Sequence, residues 1–154
     1  MALPAYLKTL MAPIAIVLAL AGCVETPAAR SDPQSQAEIL GQSIALLSQK
    51  RFADALTTIR KLRPASSSDA RVIMAFAIAS DMEGQFAAAN RAYARLADAQ
   101  VPRAELLNNM GYSMMLQGKL DAALGYLREA QRMDPANPTI RNNLKMLTSV
   151  VPTR

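Results

Sequence analysis

The sequence has 154 residues, a formal net charge of +5, a single cysteine, and neither histidine nor tryptophan. That length suits one domain with its own core and leaves no room for two. Without histidine, imidazole acid–base catalysis and histidine-bearing metal sites are excluded, and a serine or cysteine nucleophile has no imidazole beside it.

Residues 1–22 read as a targeting segment. Lys8 supplies a positive charge, and Leu10 to Ala21 form an apolar run too short for a comfortable membrane span. The run ends Leu20-Ala21-Gly22-Cys23. This resembles the bacterial lipobox, in which the signal is cut before the cysteine and the thiol is acylated. A plain secretory signal and an uncleaved anchor compete for the same residues. The lone cysteine favours acylation, because an exported thiol otherwise lacks a partner. At about 0.8 kcal/mol per buried methylene, several acyl chains would hold the protein on a bilayer. Val24 resembles the outer-membrane class of the lipoprotein sorting pattern, in which Asp at that place marks inner-membrane retention. Residues 23–35 then form an acylated start and a tether, since Val24 to Ser35 hold two prolines and no apolar period. A flexible coil of that length spans on the order of 20 Å.

From Gln36 the chain repeats with a period of 34, in units 36–69, 70–103 and 104–137. The clearest unit is the third. Leu107, Met110, Gly111 and Met114 predict an apolar stripe on a first helix, and Leu120, Ala123, Leu127 and Ala130 predict a matching stripe on a second. Gly118 breaks the first helix and Asp134-Pro135 stops the second. Small residues Gly111, Ala123 and Ala130 let the two stripes approach. Upstream, Ala123 maps to Ala89 and Ala55, Leu127 to Tyr93 and Ile59, and Gly118 to Gly84 and Lys50. Gln42 stands where an apolar residue is expected. Ser66 to Asp69 form a loop able to cap the helix that follows. Residues 139–150, with Ile140, Leu144 and Leu147 as an apolar face, predict a capping helix over the last exposed stripe. No stretch reads as a strand, so the expected fold is all-α.

The units resemble the tetratricopeptide repeat, with small residues at positions 8, 20 and 27 and Pro at 32; only the third carries all four, ending in Ala130 and Pro135. The resemblance implies a superhelix of three helix-turn-helix repeats over 36–151, with first helices lining a concave face. Carried over position by position, the groove residues are Leu40, Ile44 and Leu47, then Arg71, Met74, Ile78, Asp81 and Met82. Glu105, Asn108, Tyr112, Met115 and Leu116 follow, and Asn142 and Met146 continue the line on the capping helix. This face is apolar and methionine-rich, which suits a protein partner. The lysine by which some relatives clamp a C-terminal carboxylate is absent, since position 5 is Leu40, Met74 and Asn108.

Arg60, Lys61, Arg63, Arg91, Arg95, Arg128 and Arg132 fall on second helices. No aromatic platforms interleave with them, so they read as a solvated convex face rather than a nucleic-acid site. A milder reading has them lean on anionic headgroups near the anchor. Asp81 and Glu83 read as surface carboxylates on different helix faces, phosphate loops are missing, and neither an enzyme, a cofactor nor a small-molecule substrate is expected.

The lipobox, the tether and the run from Leu106 to Leu144 resemble the TadD lipoproteins of the tight-adherence (Tad/Flp) pilus system. That resemblance implies an outer-membrane lipoprotein, on the periplasmic face, that binds a secretin and assists its assembly as a pilotin does. The competing expectation is a general envelope scaffold recruiting peptidoglycan or outer-membrane-assembly proteins.

Overall fold

A computed structural model describes residues 33–99 and 101–150 of the chain. The expected signal segment and Cys23 lie outside the described residues, as does the tether up to residue 32. The described residues form seven helices: α1 (Pro33–Ser48), α2 (Phe52–Arg60), α3 (Ala70–Met82), α4 (Phe86–Leu96), α5 (Arg103–Leu116), α6 (Leu120–Met133) and α7 (Pro138–Val150). Helix α1 begins three residues before Gln36, so the end of the expected tether is helical, with proline at the first position where its missing N–H costs nothing.

One residue in the left-handed region reverses the chain inside each repeat: Lys50 at φ 59, Gly84 at φ 69 and Gly118 at φ 71. The hydrogen bonds around the three turns are the same. Arg51 N–H donates to Leu46 C=O and Lys50 N–H to Leu47 C=O; Gln85 to Ser80 and Gly84 to Asp81; Lys119 to Met114 and Gly118 to Met115. Each is a Schellman closure, which satisfies carbonyls that a helix end leaves bare. With so short a turn the second helix folds back antiparallel to the first. Between repeats, Asp69 accepts from Arg71 N–H at 2.9 Å and caps α3. Asn137 accepts from Thr139 and Ile140 N–H and caps α7, one residue earlier than the sequence places that helix.

Beyond its own hairpin, each first helix also packs on the next first helix: α1 on α3, α3 on α5, and α5 on α7. Among the described residues no such packing joins α2 to α4 or α4 to α6. First helices therefore line the closed side of the stack, and second helices splay outward. The core follows the period. Ala55, Ala89 and Ala123 are fully buried, as are Ile59, Tyr93 and Leu127 four residues on in each repeat. The capping helix contributes Ile140 and Leu147 to the last layers, and both are buried. Gln42 is exposed, so the first repeat closes without an apolar residue there.

Candidate functional site

Ile44, Leu47, Met74 and Ile78 come together in one depression on the first-helix side, with Arg71 and Glu105 on its walls. Its volume is about 410 Å³, and Ala70, Ala75, Val101 and Pro102 complete it. Ile44 is 49% exposed, unusual for a large aliphatic side chain with core within reach. A second depression of about 490 Å³ shares Ile78, Pro102 and Glu105 with the first. It is more polar than the first, with Asn108, Asn109, Asp134, Asn137 and Thr139 from α5, the α6–α7 turn and α7 on its wall beside Ala104 and Ile140. The two together make a trough across the three repeats.

Other residues expected along this line sit differently. Leu40 is 6% exposed and packs with Leu56, Ile59 and Val72, so it is core and not open wall. Among the described residues α1 packs on α2 and α3 alone. Asn108 is also buried; its Oδ1 accepts from Asn143 Nδ2 at 2.9 Å, and its Nδ2 donates to Asn109 Oδ1. Asn109 Nδ2 in turn approaches Met74 Sδ at 3.4 Å. A polar chain thus links α7, α5 and α3 beneath the trough, and spends amide capacity that a partner would otherwise meet. Met82, Tyr112 and Met115 are half-buried, Met115 against the Ala123–Leu127–Leu147 layer. Asn142 and Met146 are exposed. These five line neither depression.

Asp81 corrects the sequence reading most sharply. It is neither a surface carboxylate nor a groove residue but is 4% exposed. Tyr93 Oη donates to its Oδ2 at 2.9 Å and Ser113 Oγ to its Oδ1 at 2.7 Å. Gln117 Nε2 donates to Ser113 Oγ and to Asn90 Oδ1, which ties α3, α4 and α5 into one polar node. Burial pushes the Asp81 carboxyl above its ordinary range, against the two hydroxyl donors that favour the anion. Burial, with Asp81 beside it, also pushes the Tyr93 phenol well above its ordinary value. The hydroxyls of Tyr93 and Ser113, at positions where the other repeats carry aliphatic or small apolar residues, are the signal by which the node is found in sequence.

The basic residues of the second helices are partly engaged. Arg95 donates to the carbonyls of Pro64 and Ser67, pinning the loop between the first two repeats, and Arg60 donates to Gln85 Oε1 at 2.7 Å. Arg132 pairs with Glu129. No group of acidic, cysteine or histidine side chains among the described residues is arranged to hold a metal ion. No helix among them is long and apolar enough to cross a membrane.

Residues 82–138 match the family model of the tetratricopeptide repeat. The fold is a tetratricopeptide-repeat superhelix. Solved structures that share it include the following three. The first repeat domain of Spaghetti (RPAP3), bound to the HSP90 peptide SRMEEVD, has a TM-score of 0.61 at 16% identity, covering 77% of this chain and 94% of that one. The second repeat domain of human RPAP3, in complex with the HSP70 peptide SGPTIEEVD, has a TM-score of 0.60 at 14% identity, covering 76% and 98%. The Yersinia enterocolitica type III secretion translocator chaperone SycD has a TM-score of 0.60 at 15% identity, covering 77% and 81%. No curated protein matches the sequence. In tetratricopeptide numbering, the trough is built by positions 9 and 12 of the first repeat, 2, 5 and 9 of the second, and 2 and 5 of the third. Position 12 of the second repeat is withdrawn from it as Asp81.

Proposed function

We propose that this tetratricopeptide-repeat chain is a binding module that holds a segment of a protein partner in the trough of its first helices, and that it performs no covalent chemistry. The observation that carries the reading is the apolar depression under Ile44, which leaves aliphatic and thioether surface open to water in a fold whose stacking does not require it. Methionine at Met74 adapts its shape to what enters. The solved neighbours bound to HSP90 and HSP70 peptides support a peptide-sized occupant.

In the finer form of the proposal, Cys23 carries the lipid and the body works at the periplasmic face of the outer membrane. There it grips a secretin or another component of a Tad/Flp pilus and assists its assembly. The support is the lipobox and the run from Leu106 to Leu144. Purification from the native membrane should bring down a pilus component with the wild-type chain and not with Ile44→Glu or Met74→Glu. Ile44 is half in solvent, so its variant keeps the fold, which circular dichroism checks. Recovery of the same partner by both variants would sink the groove reading. Recovery of a peptidoglycan or outer-membrane-assembly enzyme instead would replace the pilus by the envelope scaffold. Cys23→Ala should leave an unlipidated precursor, and a mature protein in the outer-membrane fraction would refute the anchor.

A further inference from the structure

The chain carries 17 basic and 12 acidic side chains, yet its trough has the opposite sign. Among the described residues, the one cation on the wall of the first depression, Arg71, is already held. Its backbone N–H and Nε donate to Asp69 Oδ1 at 2.9 and 3.1 Å, and its Nη2 donates to Asp69 Oδ2 at 2.7 Å. The Arg71 guanidinium accordingly holds the Asp69 carboxyl below its ordinary range. Among the described residues no cation lines the second depression. Its acids are Asp134, whose Oδ2 accepts from Asn137 Nδ2 at 3.0 Å, and Glu105. Glu105 makes no ion pair or hydrogen bond among the described side chains, and it stands on the wall common to both depressions. The amides of Asn109 and Asn137 on the same wall carry no charge, and their oxygens already accept from Asn108 Nδ2 and from the Thr139 and Ile140 N–H groups.

We infer that the trough selects a protein segment in which an apolar side chain is flanked by a basic one, Lys or Arg. The apolar group enters between Ile44, Met74 and Ile78, and the cation meets Glu105 and Asp134. This deepens the binding role proposed above and rests on it. Charge complementarity decides it. An acidic segment would bring like charges against an unpaired carboxylate, whereas a basic one finds a partner whose nearest cation on the described wall, Arg71, is already held by Asp69. Glu105 also stands in the first turn of α5, where a carboxylate suits the helix dipole. That role concerns folding and makes no distinction between peptides.

The test is selection of displayed random peptides on the full chain in detergent, with Ile44→Glu and Glu105→Lys run beside it. Expected is enrichment of peptides with Lys or Arg next to a Leu, Ile, Met or Phe, lost on Ile44→Glu. Replacing that Lys by Glu in a synthetic copy should weaken binding by roughly fivefold to tenfold at low salt, and less as salt is raised. With Glu105→Lys the preference should turn to acidic neighbours. Binders that depend on Ile44 but show no charge preference, or an acidic one, would overturn the inference and leave the groove reading standing. Failure to enrich any binder sensitive to Ile44→Glu would overturn both.

Discussion

A Cβ added at Gly111 would lie 2.7 Å from Cγ of Leu127, on the facing helix of the same hairpin, and 3.3 Å from its backbone nitrogen. Leu127 is fully buried and has nowhere to turn. The third repeat thus pairs its smallest residue with a leucine, where the second pairs Ala77 with Tyr93 and the first Ser43 with Ile59. Overpacking of this kind costs about 1–3 kcal/mol, against a helix-propensity gain of at most about 1 kcal/mol from glycine to alanine. Gly111→Ala should therefore lower stability by about 1–2 kcal/mol, read as a shift of the urea midpoint at unchanged slope. A more stable variant would mean the hairpin has slack.

Lys50 is the same turn residue as Gly84 and Gly118, but it holds a left-handed conformation with a side chain attached. That conformation costs an L-residue about 1–2 kcal/mol, part of which glycine gives back as unfolded-state entropy. Lys50→Gly should stabilise the protein by about 0.5–1 kcal/mol. Gly84→Ala and Gly118→Ala should each destabilise by a similar amount, although no atom lies within 4 Å of the added Cβ at either place. Thermal melts of the three variants decide whether backbone conformation alone governs the turn.

These two sites show why the architecture was legible in sequence and part of the site was not. Small residues, turn residues and prolines recur at fixed places because each repeat must solve the same backbone problem. Reading them recovers the hairpins, the stack and the capping helix to within a few residues. Burial of a particular side chain depends on what crosses over it from another helix. Asp81 meets Tyr93 and Ser113 from α4 and α5, 12 and 32 residues away. Leu40 is buried against Leu56 and Ile59 from α2 and Val72 from α3. Family positions put Ile44, Leu47, Met74 and Ile78 on the first-helix side, where they line one depression. They failed at Asp81, where the sequence departs from that pattern.

The Asp81 node makes stability depend on pH in the direction opposite to that of a salt-bridged carboxylate. Its folded pKa is raised above the unfolded value of 3.8, so the folded state binds the proton more tightly. Its contribution is then largest below pH 3.8 and is lost as pH rises through the folded pKa, where ionisation in a buried site becomes a cost. No cation is paired with Asp81 among the described residues, and the groups facing it are the Tyr93 and Ser113 hydroxyls. Asp69, held low by Arg71, works the other way, but it is only half-buried and its partner Arg71 is exposed, so solvent screens the pair. Subtracting the stability of Asp81→Asn from that of wild type across pH isolates the node. The difference should fall with rising pH, and a difference that rises would show that the two hydroxyl donors outweigh burial.

Two neighbouring serines offer a contrast that tests whether the node is cohesive or merely tolerated. Ser80 Oγ is fully buried and has no hydrogen-bond partner among the described residues, at a place where the other repeats carry Leu46 and Met114. Ser113 Oγ is equally buried but donates to Asp81 and accepts from Gln117. An unmade buried hydrogen bond costs about 1–3 kcal/mol, so Ser80→Ala should be neutral or stabilise by up to about 1 kcal/mol. Ser113→Ala strips a donor from a buried carboxylate and should cost about 1–3 kcal/mol. Because Ser113 belongs to α5 and Asp81 to α3, that loss also loosens the second repeat from the third. Hydrogen exchange should then report faster opening of both helices in Ser113→Ala and unchanged rates in Ser80→Ala. Equal behaviour of the two variants would mean that the hydroxyls fill space and that the stack is held by its apolar layers alone.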